Sequence, residues 1–171
     1  MEHLFLSGEY DLTLDEKSRL MIPAPLRKRI NPAAHGEGFY LVVSYERRLW
    51  MYPDRYYEWL VSRGQEADAI PARDALAYDR LAFGLAVQLE ADKAGRVVVP
   101  EKSRARVKLG REVTVVGARD HLEIWDRAAW NADSEGLLER GPELAERART
   151  LRRGENPLRT QTFTGATEGT L

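Results

Sequence analysis

The chain has 171 residues, 43% of them hydrophobic and 31% charged, with a net charge of −1 and no cysteine. These values suit one globular domain or two small halves sharing a core, and they exclude a disordered chain. The absence of cysteine excludes a disulfide framework, a thiol nucleophile and a zinc–thiolate site.

No apolar run approaches the ~18 residues that a membrane span needs. The start, MEHLFLSGEYD, has neither the basic region nor the apolar stretch of a signal peptide, so a reduced, cytoplasmic protein is expected. Tyr10, Leu12 and Leu14 alternate with Asp11 and Thr13, the period-2 pattern of a half-buried strand. Asp15-Glu16-Lys17-Ser18 supplies turn residues, and Leu20-Met21-Ile22 reads as the returning strand of a β-hairpin with a polar tip. Pro23 stops the pairing and opens a short helical turn. Asn31 to Gly38 is a linker rich in Asn, Pro and Gly, followed by apolar strands at 39–44 and 49–52 and a helix over 53–62.

A connecting helix is expected over 71–84. Leu85, Val87, Leu89 and Ala91 then repeat the alternation, and Asp92-Lys93-Ala94-Gly95 repeats the turn. Gly95 suits a positive φ; Ser18 at the matching place fits it less easily, which predicts a slight difference in shape between the two tips. Strands follow at 113–117 and 122–125, then a helix over 126–131 with Asp126 as its N-cap. After Gly141 a last helix carries Leu144, Ala148 and Leu151 on one stripe and Arg147, Arg149, Arg152 and Arg153 on the other face. From Gly154 the chain turns small, polar and rich in Thr and Gly, the composition of a mobile tail.

One phrase is written twice. Shifted by 77 positions, residues 8–30 match 85–107: Leu12 falls on Leu89, Asp15 on Asp92, Arg19 on Arg96, Pro23 on Pro100, Arg27 on Arg104. The repeated D-x-x-x-R-apolar-apolar-apolar-P reads as one supersecondary unit used twice in a pseudo-symmetric fold. A second shift of 73 matches Val42, Leu49, Tyr52 and Tyr57 to Val115, Leu122, Trp125 and Trp130. Each half therefore reads β-hairpin, short helix, two strands, helix. The phrases are also the electropositive parts of the chain: residues 15–29 balance at +3 and 92–111 at +5, while acids gather in 66–79 and 123–146.

Catalytic patterns are missing. The sequence contains no P-loop, nucleophile elbow or dinucleotide-binding glycine motif. His3, His35 and His121 lack metal-ligand spacing and read as surface or loop residues. Trp50, Trp59, Trp125 and Trp130 read as packing residues. No enzyme and no cofactor or metal is expected.

The repeated phrase points instead to recognition. Asp at a hairpin tip bonds backbone N–H groups and shapes the turn. The Arg four residues on either pairs with it and does nothing more, or projects from a rigid ribbon, and the two roles are compatible. A two-stranded ribbon fits a DNA major groove, where Arg meets guanine O6 and N7. Arg19 and Arg96 are the leading DNA-binding residues, beside Lys17 and Lys93, with Arg27 and Arg104 behind; Asp15 and Asp92 shape the tips.

GEYDLTLDEKSRLMIP with LRKRI, LEADKAGRVVVP and LEIWDRAAW together resemble the MraZ family of bacterial transcriptional regulators over residues 6–138. The resemblance implies an α+β, mainly β fold of two pseudo-symmetric AbrB/SpoVT-like swapped-hairpin β-barrel halves with flanking helices. The halves would be 1–62 and 85–140, joined by 63–84 and followed by a helix and tail over 141–171. It further implies a ring-like homo-oligomer that binds direct repeats in double-stranded promoter DNA upstream of the division and cell-wall genes, with repression as the outcome. A nucleoid-associated location follows. The competing expectation is a non-enzymatic interaction scaffold or antidote-type module of the AbrB class.

Overall fold

The computed structural model describes residues 2–63 and 73–152. The tail from Gly154, Arg153, the first residues of the connecting helix and the side chains of Leu151 and Arg152 lie outside the described residues. The chain forms compact units over Met1–Trp130 and from Asn131 onward.

The first unit is built on antiparallel strands. In the first half these are β1 (Leu6–Thr13), β2 (Arg19–Met21), β3 (Gly38–Val43) and β4 (Leu49–Pro53). Their counterparts are β5 (Val87–Glu90), β6 (Arg96–Val98), β7 (Glu112–Arg119) and β8 (Leu122–Asp126). Six strands make one sheet in the order β1-β7-β8-β4-β3-β5, and β2 pairs with β6 as a separate ribbon. Exchanging each strand for its counterpart reproduces both orders. Leu20↔Val97 sits at the centre of the ribbon and Trp50↔Glu123 at the centre of β4–β8, marking an internal two-fold axis.

The local hairpins expected from the sequence are not what forms. The turns close as expected, yet β2 ladders with β6 and β1 ladders with β7, while β5 ladders with β3. Each repeat lends its strands to the other. The reason lies in the returning strand, which is three residues long and ended by Pro23 or Pro100. Its one inward side chain, Leu20 or Val97, is fully buried when the two copies face each other. The same core takes in Leu6, Leu14, Leu41, Leu49, Met51, Val113, Val115, Leu122 and Ile124.

Helices flank this frame. Short α1 (Ala24–Arg27) follows β2, and α5 (Glu101–Val107) follows β6. The linker at 31–38 contains a helix absent from the sequence reading, α2 (Pro32–His35). Asn31 caps it by accepting from the Ala33 N–H, and Pro32 occupies its first position. His35 is buried, contrary to expectation: its Nδ1 accepts from the Asn31 N–H at 3.0 Å and its Nε2 faces the Glu2 carbonyl at 3.3 Å.

Helices α3 (Asp54–Arg63) and α4 (Arg73–Ala82) close the first half, and neither has a fully buried side chain. Helix α6 (Arg127–Glu139) runs eight residues beyond the expected end at 131; Asp126 caps it as expected, accepting from Ala128 N–H at 3.1 Å. Helix α7 (Gly141–Arg152) bears Arg147, paired within the helix to Glu143, and Arg149, paired to Glu146. Among the described residues no helix is long and apolar enough to cross a membrane.

Candidate nucleic-acid interface

The two tips are superposable in their bonding. At the first, Asp15 Oδ1 accepts from the backbone N–H groups of Lys17 and Arg19, both at 2.9 Å. At the second, Asp92 Oδ1 accepts from Ala94 at 2.9 Å and Arg96 at 3.0 Å. In each, Oδ2 holds the Nε of the Arg four residues on, at 2.6 Å for Arg19 and 2.7 Å for Arg96. The backbone N–H of the Arg, foremost, and then its guanidinium hold both carboxyls below the ordinary Asp range. The hydrogen bonds of the two tips match, and the tips differ at the residue where a slight difference was expected. Ser18 takes the left-handed φ of 57° where Gly95 takes 82°.

Each Asp therefore grips one edge of a guanidinium. Among the described residues, no hydrogen bond engages the Nη atoms of Arg19 or Arg96. A planar guanidinium held by Nε keeps its outer fork for a second partner, so the pairing and the projecting role coexist.

The ribbon sets where these groups point. Arg19 lies opposite Val98 and Met21 opposite Arg96. Side chains alternate across a strand, so these four share the outer face while Leu20 and Val97 fill the inner one. Val99 N–H donates to Ser18 O at 2.9 Å and Ile22 N–H to Gly95 O at 3.0 Å, tying each strand to the other copy's tip. Lys17 and Lys93 are exposed beside the Arg residues but are not equivalent. Lys17 occupies the place of Ala94, and Lys93 the place of Glu16.

Arg27 and Arg104 are placed differently from the ribbon arginines. Arg27 donates from Nη1 to the Ala94 carbonyl at 3.1 Å and covers Gly95, so a Cβ there would collide with its guanidinium. Arg104 is half-buried, with its Nε enclosed and without a hydrogen-bond partner among the described residues. The bracing of the second tip by Arg27 spans 67 positions and carries no local sequence signal. Also unread was the exposure of Met21 and Val98, at 39% and 52%. The 77-residue shift, which matches these two apolar residues to each other, was the available clue.

A second cluster lies on the β4–β8 centre. His121 stacks on Tyr52 at 4.9 Å and tilts against Trp50 at 4.7 Å. Its Nδ1 meets Asp120 Oδ1 at 2.9 Å, and its Nε2 lies 3.4 Å from Glu123 Oε1. Burial opposes charge on this imidazole, but the two carboxylates outweigh it and raise its pKa above the ordinary histidine value. Under the shift of 73, His121 corresponds to Arg48, whose guanidinium lies 4.1 Å over Trp125, the counterpart of Tyr52. A basic side chain on an aromatic ring thus recurs at both related places. Among the described residues no group of three or more His, Cys, Asp or Glu is placed to hold a metal ion.

The family model described as MraZ protein, antitoxin-like, matches residues 5–78 and 82–153, one match per repeat. A protein of Carboxydothermus hydrogenoformans named transcriptional regulator MraZ is 36% identical over 142 residues, covering 82% of this chain and 94% of the relative. One of Thermomicrobium roseum with the same name is 35% identical over 144 residues, covering 84% and 97%. With both repeats matched and nearly the full length of these relatives aligned, the chain belongs to the MraZ family.

Proposed function

We propose that this protein is a non-enzymatic, sequence-specific DNA-binding transcriptional regulator whose reading head is the β2–β6 ribbon. The observation that carries the reading is the pair of guanidiniums on one exposed ribbon face, each fixed at Nε by an Asp and open at Nη. Such a pre-set fork matches the two acceptors of guanine in the major groove. Lys17 and Lys93 are assigned to phosphates beside the bases, Arg27 and Arg104 to flanking phosphates, and Asp15 and Asp92 to orienting the readers. The names of the relatives support regulation of transcription. The target in this reading is a set of promoter direct repeats before the division and cell-wall genes. A ring-like homo-oligomer presents several ribbons to them and represses by occlusion, its avidity compensating for weak single contacts. The protein works in the cytoplasm on the nucleoid.

The test is a binding titration on the duplex upstream of the protein's own gene, against a scrambled duplex, at two salt concentrations. Arg19→Ala/Arg96→Ala is expected to lose at least about thirtyfold in specific affinity, since two good bidentate contacts at about 1–3 kcal/mol each are removed. Wild-type binding should fall steeply with salt. Undiminished binding by the double variant would move the site off the ribbon. The antitoxin-like description favours one competing reading, a protein-interaction module. That reading predicts no specific DNA binding by wild type and a partner protein retained by the double variant.

A further inference from the structure

The ribbon face is not purely cationic. Arg19 and Arg96 occupy two diagonal corners, and Met21 and Val98 the other two, 39% and 52% exposed. Cross-strand neighbours lie about 5 Å apart and diagonal ones about 7–8 Å, so the arginine stems span roughly two base-pair steps of ~3.4 Å. Each apolar side chain stands directly across from one Arg and two residues along the strand from the other. Both repeats place an apolar residue here, although the inward neighbours Leu20 and Val97 already supply the core contact and the outer position needs none.

We propose that Met21 and Val98 are specificity-determining residues that contact thymine C5-methyl groups next to the guanines met by Arg19 and Arg96. The inference rests on the DNA-binding reading above and extends it from charge to base choice. The thymine methyl is the one apolar group on the major-groove edge of a base, and it lies beside the acceptors an Arg reads. Charge argues for DNA over a protein on this face: residues 15–29 and 92–111, which carry the ribbon, balance at +3 and +5 in a chain of net charge −1, and a DNA groove offers paired acceptors to the open Nη atoms.

The experiment uses the duplex upstream of the protein's own gene, prepared with thymidine or with deoxyuridine throughout, which removes only the methyl. Wild type is expected to bind the deoxyuridine duplex about fourfold more weakly for each contacted methyl, the factor that about 0.8 kcal/mol per buried carbon implies. Met21→Ala/Val98→Ala should bind both duplexes alike, with the salt slope of wild type because no charge has been removed. The deoxyuridine comparison on wild type needs no variant to fold. Equal wild-type affinity for the two duplexes, with Arg19→Ala/Arg96→Ala still deficient, would overturn this inference and leave the DNA reading standing. Full discrimination retained by Met21→Ala/Val98→Ala, or a reduced oligomer mass of that variant, would also overturn it; the latter would make the face a contact between copies. Absence of any specific wild-type binding would remove both.

Discussion

The first and second tips share one hydrogen-bond pattern and differ in what surrounds it. Both use Asp to fix an Arg, with contacts matching within 0.1 Å. Yet the first carries Glu16 where the second carries Lys93, Ser18 where the second has Gly95, and no counterpart of the brace from Arg27 to Ala94 among the described residues. What is held constant is the orientation of the guanidinium; what varies is the local charge and the backbone cost. A base-reading role requires the first and tolerates variation in the second, because phosphate contacts position and base contacts specify.

Charge separates the tips first. Glu16→Lys gives the first tip a lysine where the second carries Lys93 and takes residues 15–19 from neutral to +2, so affinity for any duplex should rise about tenfold at low salt. The salt slope should steepen by about one unit per added phosphate contact. Titration over a salt series reads both, and an unchanged slope would place Glu16 away from the DNA. Backbone comes next. Gly95→Ala forces a side chain into φ 82° and against Arg27, and should cost about 1 kcal/mol. Ser18→Gly relieves φ 57° and should gain about 0.5 kcal/mol. Denaturant unfolding of the two variants would show opposite signs; the same sign would mean that the tips are not equivalent.

The smallest effect concerns the basic group on the aromatic ring. Where the first half places the Arg48 guanidinium, the second places the His121 imidazole, whose pKa is raised. With a folded pKa raised above the unfolded value, the imidazole contributes stability that is complete below about pH 6.5. That contribution is lost as pH rises through the folded value. Asp120 and Glu123 have lowered values, so their contribution is lost only at acid pH. Thermal unfolding should therefore show Tm falling from pH 6 to pH 8 in wild type. In His121→Arg the slope should be flatter, and an identical slope would remove His121 as its source.

Much of this was legible in the sequence. The repeat, the strands, the cap at Asp126, the strand stop at Pro23 and the Asp–Arg pairing follow from spacing and residue chemistry. Which strand pairs with which did not, because Leu20 alternates identically in a local hairpin and in a ribbon shared between repeats; only the burial of Leu20 against Val97 decides it. The burial of His35 had the same character: 31–38 reads as a linker by composition, and the closeness of Glu2 is a property of the fold. Arg27 reaches its carbonyl across the two-fold axis, where local sequence carries no information.

In the proposed function Arg19 and Arg96 read bases and do not merely attract the backbone. Arg19→Lys/Arg96→Lys separates the two roles, since lysine keeps the charge and loses the planar fork. The measurement is the ratio of affinities for the native upstream duplex and a scrambled one, taken with the salt slope. The ratio is expected to collapse toward one while the slope stays at the wild-type value. A double lysine variant that discriminates as well as wild type would contradict it.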